Sequence, residues 1–200
     1  MTAQFTDTIL IAEKRFSIVG VNGNGLFTPE SIGVVPVPTI SACWRGYVCH
    51  YKIADDKLIL DELQLSLGSD EGTGRERKFI PKMGPEINGV KPGTSGLFNN
   101  TYKELDLEIR FTGGLLAGNG FLQELYVHMG FHPAWKYQTV FELVFEAGNV
   151  REIRDASREL EQIRNKMSAA PLQPDILKSS REEVEAWIEK TFRLDYDLNQ

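Results

Sequence analysis

Residues 44–65 read WRGYVCHYKIADDKLILDELQL. Two runs rich in apolar and aromatic residues, Trp44–Ile53 and Leu58–Leu65, flank Ala54-Asp55-Asp56-Lys57. Aspartate accepts the backbone angles of tight turns, so this stretch predicts a β-hairpin. Side chains alternate across a strand. Arg45, Tyr47, Cys49, Tyr51 and Ile53 therefore share one face, and Trp44, Gly46, Val48 and His50 share the other.

Further strands follow outward from this hairpin. Thr8–Ala12 and Phe16–Val21 are short apolar runs, and Asn22-Gly23-Asn24-Gly25 reads as a turn. Pro36 and Pro38 make Ser31–Ile40 an edge strand or an extended loop, because proline cannot donate a ladder hydrogen bond. Leu105, Leu107, Ile109 and Phe111 alternate with charged residues, the pattern of a strand with one wet face. Gly113–Gly120 reads as a Gly-rich turn, Phe121–Met129 as a strand, and Tyr137–Glu146 as another. Gly148-Asn149 then turns the chain into Val150–Arg154.

Residues 155–200 change period. Ala156, Leu160, Ile163 and Met167 recur at helical spacing, with Asp155 as an N-cap. Ser180 and Glu183 form a capping box ahead of Val184, Trp187, Ile188 and Phe192. The expected fold class is α+β. A predominantly antiparallel sheet of hairpins, as a curved sheet or partial barrel, precedes two C-terminal helices. One domain spans 1–200, with 1–66 and 101–154 as its β-rich core. Residues 68–100, rich in glycine and proline, read as a long surface loop.

The chain has 200 residues and a formal net charge of −6. Arg75–Lys82 is the densest basic stretch, and it contains a glutamate. Nucleic-acid binding needs clustered cations, so no nucleic-acid partner is expected. No apolar run is long enough to span a bilayer, so no membrane is expected either. Two cysteines, Cys43 and Cys49, do not make a disulfide framework, and a cytoplasmic location is expected.

LYVHMGFHPAWKY, residues 125–137, holds the chain's best chemistry. His128 and His132 would share a helix face and offer a metal pair, but Gly130 and Pro133 argue against a helix. Cys43, Cys49 and His50 could join such a site only if separate strands met. Histidines hydrogen-bonded near a strand end, with no metal, are therefore expected. Glu124, Tyr126 and His128 alternate along the expected strand, a carboxylate, a phenol and an imidazole on one face. With Arg45 as an anion holder, they are the candidate acid–base residues. Trp44, Arg45, Tyr47 and Trp135 are the candidate ligand-binding residues.

Other chemistry finds less support. Cys49 and His50 are adjacent, so on a strand they point apart and cannot activate each other. Gly113 and Gly118 have P-loop spacing, but Asn119 and Gly120 replace the required Lys and Ser/Thr. No cofactor is called for.

Ser41-Ala-Cys-Trp44-Arg45-Gly46-Tyr47-Val with Asp55-Asp56-Lys57-Leu58 resembles a hairpin of a group of uncharacterised bacterial proteins. Phe111-Thr-Gly-Gly-Leu115 and Tyr126-Val-His-Met-Gly-Phe131 are similar to later phrases of the same group, in the same order. The resemblance spans about residues 41–66 and 105–154. The group has no assigned activity, so it implies only that these motifs form one structural unit. The expected role is a non-enzymatic interaction or small-ligand-binding module, with its partner and oligomeric state open. The alternatives are an enzyme with an acid–base site near Arg45, Tyr126 and His128, or a metal-binding protein using His128 and His132.

Overall fold

The hairpin of residues 44–65 forms one side of a closed, strongly curved sheet in the computed structural model, which describes residues 2–71, 78–167, 180, 182, 183 and 196. Its strands begin with β1 (Thr8–Ile11), β2 (Lys14–Asn24), β3 (Tyr47–Ala54) and β4 (Lys57–Leu65), while β5 (Gly68–Glu71) and β6 (Lys78–Pro81) form a separate two-stranded sheet. The main sheet continues as β7 (Gly93–Ser95), β8 (Phe98–Tyr102), β9 (Leu107–Glu108), β10 (Thr112–Phe121), β11 (Tyr137–Glu146) and β12 (Asn149–Asp155). Helix α1 (Ser157–Met167) follows.

The strand order is β12-β11-β10-β2-β1-β3-β4-β8-β7. Asn149 of β12 also pairs with Lys57 of β4, which closes the sheet into a barrel. Val150 donates to the Asp56 carbonyl and Leu58 to that of Gly148, both at 2.8 Å, and these bonds reinforce the closure. Closure gives β12 a partner on its outer side at Asn149, and the β8–β7 extension branches off β4. Among the described strands, β1–β3 alone is a parallel pairing.

Two-residue turns with left-handed backbone at both positions join β1 to β2, β3 to β4 and β11 to β12: Ala12-Glu13, Asp55-Asp56 and Ala147-Gly148. Such turns match the twist of the strands they join. The expected turn at Asp55-Asp56 is thus present, and that at Gly148-Asn149 lies one residue earlier.

Alternation fills the barrel. Ile9, Phe16, Ile18, Cys49, Tyr51, Leu58, Leu60, Leu115, Ala117, Leu143 and Phe145 form the core of one large cluster and are nearly or wholly excluded from solvent. At about 25 cal/mol per Å² of apolar surface, this burial is the main stabilising contribution of the fold. The interior is packed with side chains.

Several expectations are corrected. Residues 113–120 are not a turn but most of β10. Nor is Asn22–Gly25 a turn, since β2 runs through Asn24. Gly23 and Gly113 face each other across β2 and β10, each at φ +142°, and a Cβ on either would collide with the opposite backbone. Glycine there permits close strand approach. The Tyr137 ring lies against Gly118, where an added Cβ would come within 2.8 Å of it.

The alternation at 105–111 buries Leu105, Ile109 and Phe111, yet only Leu107–Glu108 is strand. Left-handed Glu104 and Asp106 interrupt the rest. Segment 31–40 is an extended loop after a short 3₁₀ turn. The 68–100 stretch is not one loop. It carries the β5–β6 and β7–β8 hairpins, and Asn99 and Asn100 pin it through hydrogen bonds to Leu67, Lys82 and Gly84.

Of the two expected helices, α1 forms, and the Asp155 carboxylate accepts from the Ser157 amide at 2.9 Å. Hydrogen bonding from Ser157, first from its side chain and then from its amide, lowers the Asp155 pKa. The capping box is also in place. Ser180 N–H donates to Glu183 at 2.8 Å, Glu183 N–H donates to Ser180 Oγ at 3.2 Å, and residues 182 and 183 are helical. The stripe from Val184 to Phe192 lies outside the described residues.

Candidate functional site

Arg45 does not stand on β3. The chain turns at Trp44–Gly46, with Gly46 at φ +72° against the Val37 backbone, and the strand begins only at Tyr47. The turn aims the Arg45 guanidinium at Asp7, and two parallel bonds of 2.9 and 2.8 Å join them. Asp7 also accepts the Cys49 amide at 2.8 Å, and its side chain is 5% exposed. The guanidinium lies 4.7 Å from the Tyr47 ring centre and 5.8 Å from that of Phe131. Burial opposes the Arg45 charge, but the Asp7 carboxylate outweighs it and raises the pKa. The pairing commits two of the guanidinium's five N–H donors to one buried carboxylate. Arg45 is thus an ion-pair partner of Asp7 and not a free cation.

The stretch 121–136 leaves the barrel wall between β10 and β11. It is not the expected strand. Gln123–Leu125 and Ala134–Lys136 are 3₁₀ turns, with irregular chain between them. Gly130, at φ +63°, bridges Ala3, and the Gln4 amide donates to its carbonyl at 2.8 Å. This irregular path cancels the expected row of Glu124, Tyr126 and His128. Glu124 lies exposed in the first 3₁₀ turn. Tyr126 and His128 still meet, with Oη and Nδ1 2.8 Å apart.

His132 packs among aromatic rings, 4.6 Å from Phe121 and 5.2 Å from Tyr126 between centres. Its two ring nitrogens are buried and have no hydrogen-bond partner. Burial, and then the charge of Lys136, push its pKa down to about 4. The imidazole is therefore neutral at pH 7. Lys136 is 5% exposed, and burial lowers its pKa as well. Its backbone is held by bonds to Pro133 and Leu122, and its ammonium lies 5.3 Å from the Trp135 ring centre.

The fold brings the two candidate groups side by side but not into one pocket. Phe131 is the link, since it contacts Arg45 and adjoins His132 in the chain. Among the described residues, no hydrogen bond, ion pair or ring contact joins Arg45 to Tyr126 or His128. Trp44 is half exposed, and Trp135 lies beside Lys136.

The metal candidates separate by environment. Among the described residues, no group of three His, Cys, Asp or Glu side chains is arranged to hold an ion. The thiols are free and buried, and burial raises the pKa of both. Cys49 faces the barrel interior, whereas His50 bonds Thr8 at 2.7 Å. The expected separation of that neighbouring pair is therefore present. A groove of about 520 Å³ runs between β11, β12 and α1, lined by Gln138, Asp155, Ser157, Arg158, Glu161 and Arg164. None of the expected site residues lines it.

Sequence reasoning missed Asp7 and Lys136. A lone acid just before the apolar run Thr8–Ile11 was the available signal for Asp7. Lys136, between two aromatic residues, gave a similar one. No family model, curated protein or solved structure matches the chain.

Proposed function

We propose that this protein is a non-enzymatic binding module for a small ligand with an aromatic or apolar body, recognised by the surface of residues 121–136. One observation carries the reading: His132 holds two partnerless ring nitrogens among Phe121 and the half-exposed Tyr126. A neutral imidazole has one donor and one acceptor, so a seated ligand could satisfy both. Aromatic walls with a few unsatisfied polar atoms are the usual make-up of small-ligand sites.

The acid–base alternative has less behind it. Arg45 is held by Asp7, and Tyr126 and His128 are held by each other. The packed interior also favours a surface site over an internal one. Two free thiols accord with a reducing, cytoplasmic setting. No helix among the described residues is long and apolar enough to cross a membrane.

Saturation-transfer NMR with a library of aromatic fragments tests the proposal. Fragments should contact Tyr126 and His132, and Tyr126→Ala should abolish their binding. Binding confined to the groove at Arg158 and Arg164 would contradict it. Hydrolytic turnover lost in His128→Ala would support the enzyme reading instead.

A further inference from the structure

Lys136 is the least explained charged group in the described structure. It is 5% exposed, yet no carboxylate or hydrogen-bond partner holds its ammonium among the described residues. The contrast with other cations is sharp. Lys52, Lys57, Arg45, Arg151 and Arg154 all have carboxylate partners. A lysine desolvated without a counter-ion loses its proton more readily and gains nucleophilicity. Earlier in the same stretch stands neutral His132, whose imidazole feels the lysine's charge.

We infer that Lys136 is a reactive amine that forms an imine with an aromatic or apolar aldehyde or ketone held against Phe121, Tyr126 and Trp135. The neutral amine attacks the carbonyl carbon, a C–N bond forms, and the carbonyl π pair moves to oxygen. That oxygen takes up a proton. Nitrogen loses one proton at this stage and its second as the hydroxyl leaves, and His132, with a donor and an acceptor unused, is the imidazole of this stretch that can exchange them. The carbinolamine expels its hydroxyl as water, leaving a C=N bond. No oxidant or reductant is consumed, and the step reverses in water. Aromatic rings around His132 and Lys136 select a flat or apolar body over a highly polar carbonyl compound.

This inference deepens the binding reading above and fails separately from it. The full-length protein is incubated with benzaldehyde and cyanoborohydride, which reduces any imine to a stable secondary amine. Intact mass and peptide mapping then read the adduct. One benzyl group per chain, on Lys136, is expected. The adduct should be lost in Lys136→Met, which keeps the apolar stem, and retained in Lys103→Arg, a change at an exposed lysine. Mapping of the wild-type chain decides the matter even if Lys136→Met does not fold. No adduct, or adducts spread over exposed lysines with Lys136 unlabelled, overturns the inference. Benzyl alcohol, which has no carbonyl, separates the two readings. Alcohol binding without an aldehyde adduct ends the imine proposal and leaves the binding module. An adduct on Lys136 without alcohol binding does the reverse.

Discussion

Two buried sites of this protein treat polar groups in opposite ways. At the mouth of the barrel, Asp7 meets Arg45 through two parallel bonds and takes a third from the Cys49 amide. In the 121–136 excursion, the His132 ring nitrogens have no hydrogen-bond partner, and the largely buried Lys136 has no carboxylate partner among the described residues. Burial raises the free energy of a polar group unless a partner compensates. The first site offsets that cost internally and so contributes to the fold. The second leaves it standing, as binding and reactive sites commonly do.

Substitutions should therefore have opposite signs at the two sites. Arg45→Ala leaves the buried Asp7 carboxylate with only an amide partner, and it should cost about 3–5 kcal/mol in urea unfolding. A loss below about 1 kcal/mol would place this pair among weak surface bridges. Gly113→Ala probes the barrel wall itself. Positive φ and collision with the Asn22 backbone should cost about 1–3 kcal/mol, read as a lowered melting temperature. An unchanged melting temperature would mean that the β2–β10 contact is looser than described.

His132→Phe should act the other way, stabilising the protein by about 1 kcal/mol at pH 7, since an unpaired polar ring becomes apolar. It should also flatten the acid limb of the stability curve. The folded-state pKa of about 4 lies below the ordinary value of about 6.5, so the unfolded chain binds more protons between them. The contribution of neutral His132 is thus whole above about pH 6.5 and declines as pH falls toward about 4. Unfolding curves of both proteins across this window check the sign. Tyr126→Phe is the mildest change. It removes an exposed hydroxyl bonded to His128, and stability should shift by less than about 0.5 kcal/mol while fragment binding weakens.

The barrel was legible where its strands alternate. Tyr137–Glu146 matches β11 residue for residue, and the turn at Asp55-Asp56 was visible from composition. Strand β10 was hidden because Gly113, Gly114, Gly118 and Gly120 imitate a turn. Their reason is non-local: Gly23 lies across from Gly113, and Tyr137 packs on Gly118. The apolar alternation of Phe121–Met129 misled in the other direction, since the ladder ends at Phe121, opposite Tyr137, and the chain then enters the 3₁₀ turn Gln123–Leu125.

The site was half legible for the same reason. The 125–137 motif marked the right region, and Tyr126 and His128 do meet there. Arg45 was assigned to it because its true partner, Asp7, is 38 residues away and lies before the motif-bearing strands. Phe131 lies against the Arg45 guanidinium, a contact between the segments 44–47 and 126–131 that no local pattern announces.

The contrast between the sites rests on His132 being neutral and partnerless inside the fold. A nitrogen-detected NMR titration of its imidazole tests this most directly. At about pH 5, between the ordinary value and the depressed one, the account predicts a neutral His132 ring in the folded protein. A His132 ring already protonated at that pH would show that a partner holds its charge, and would contradict the account.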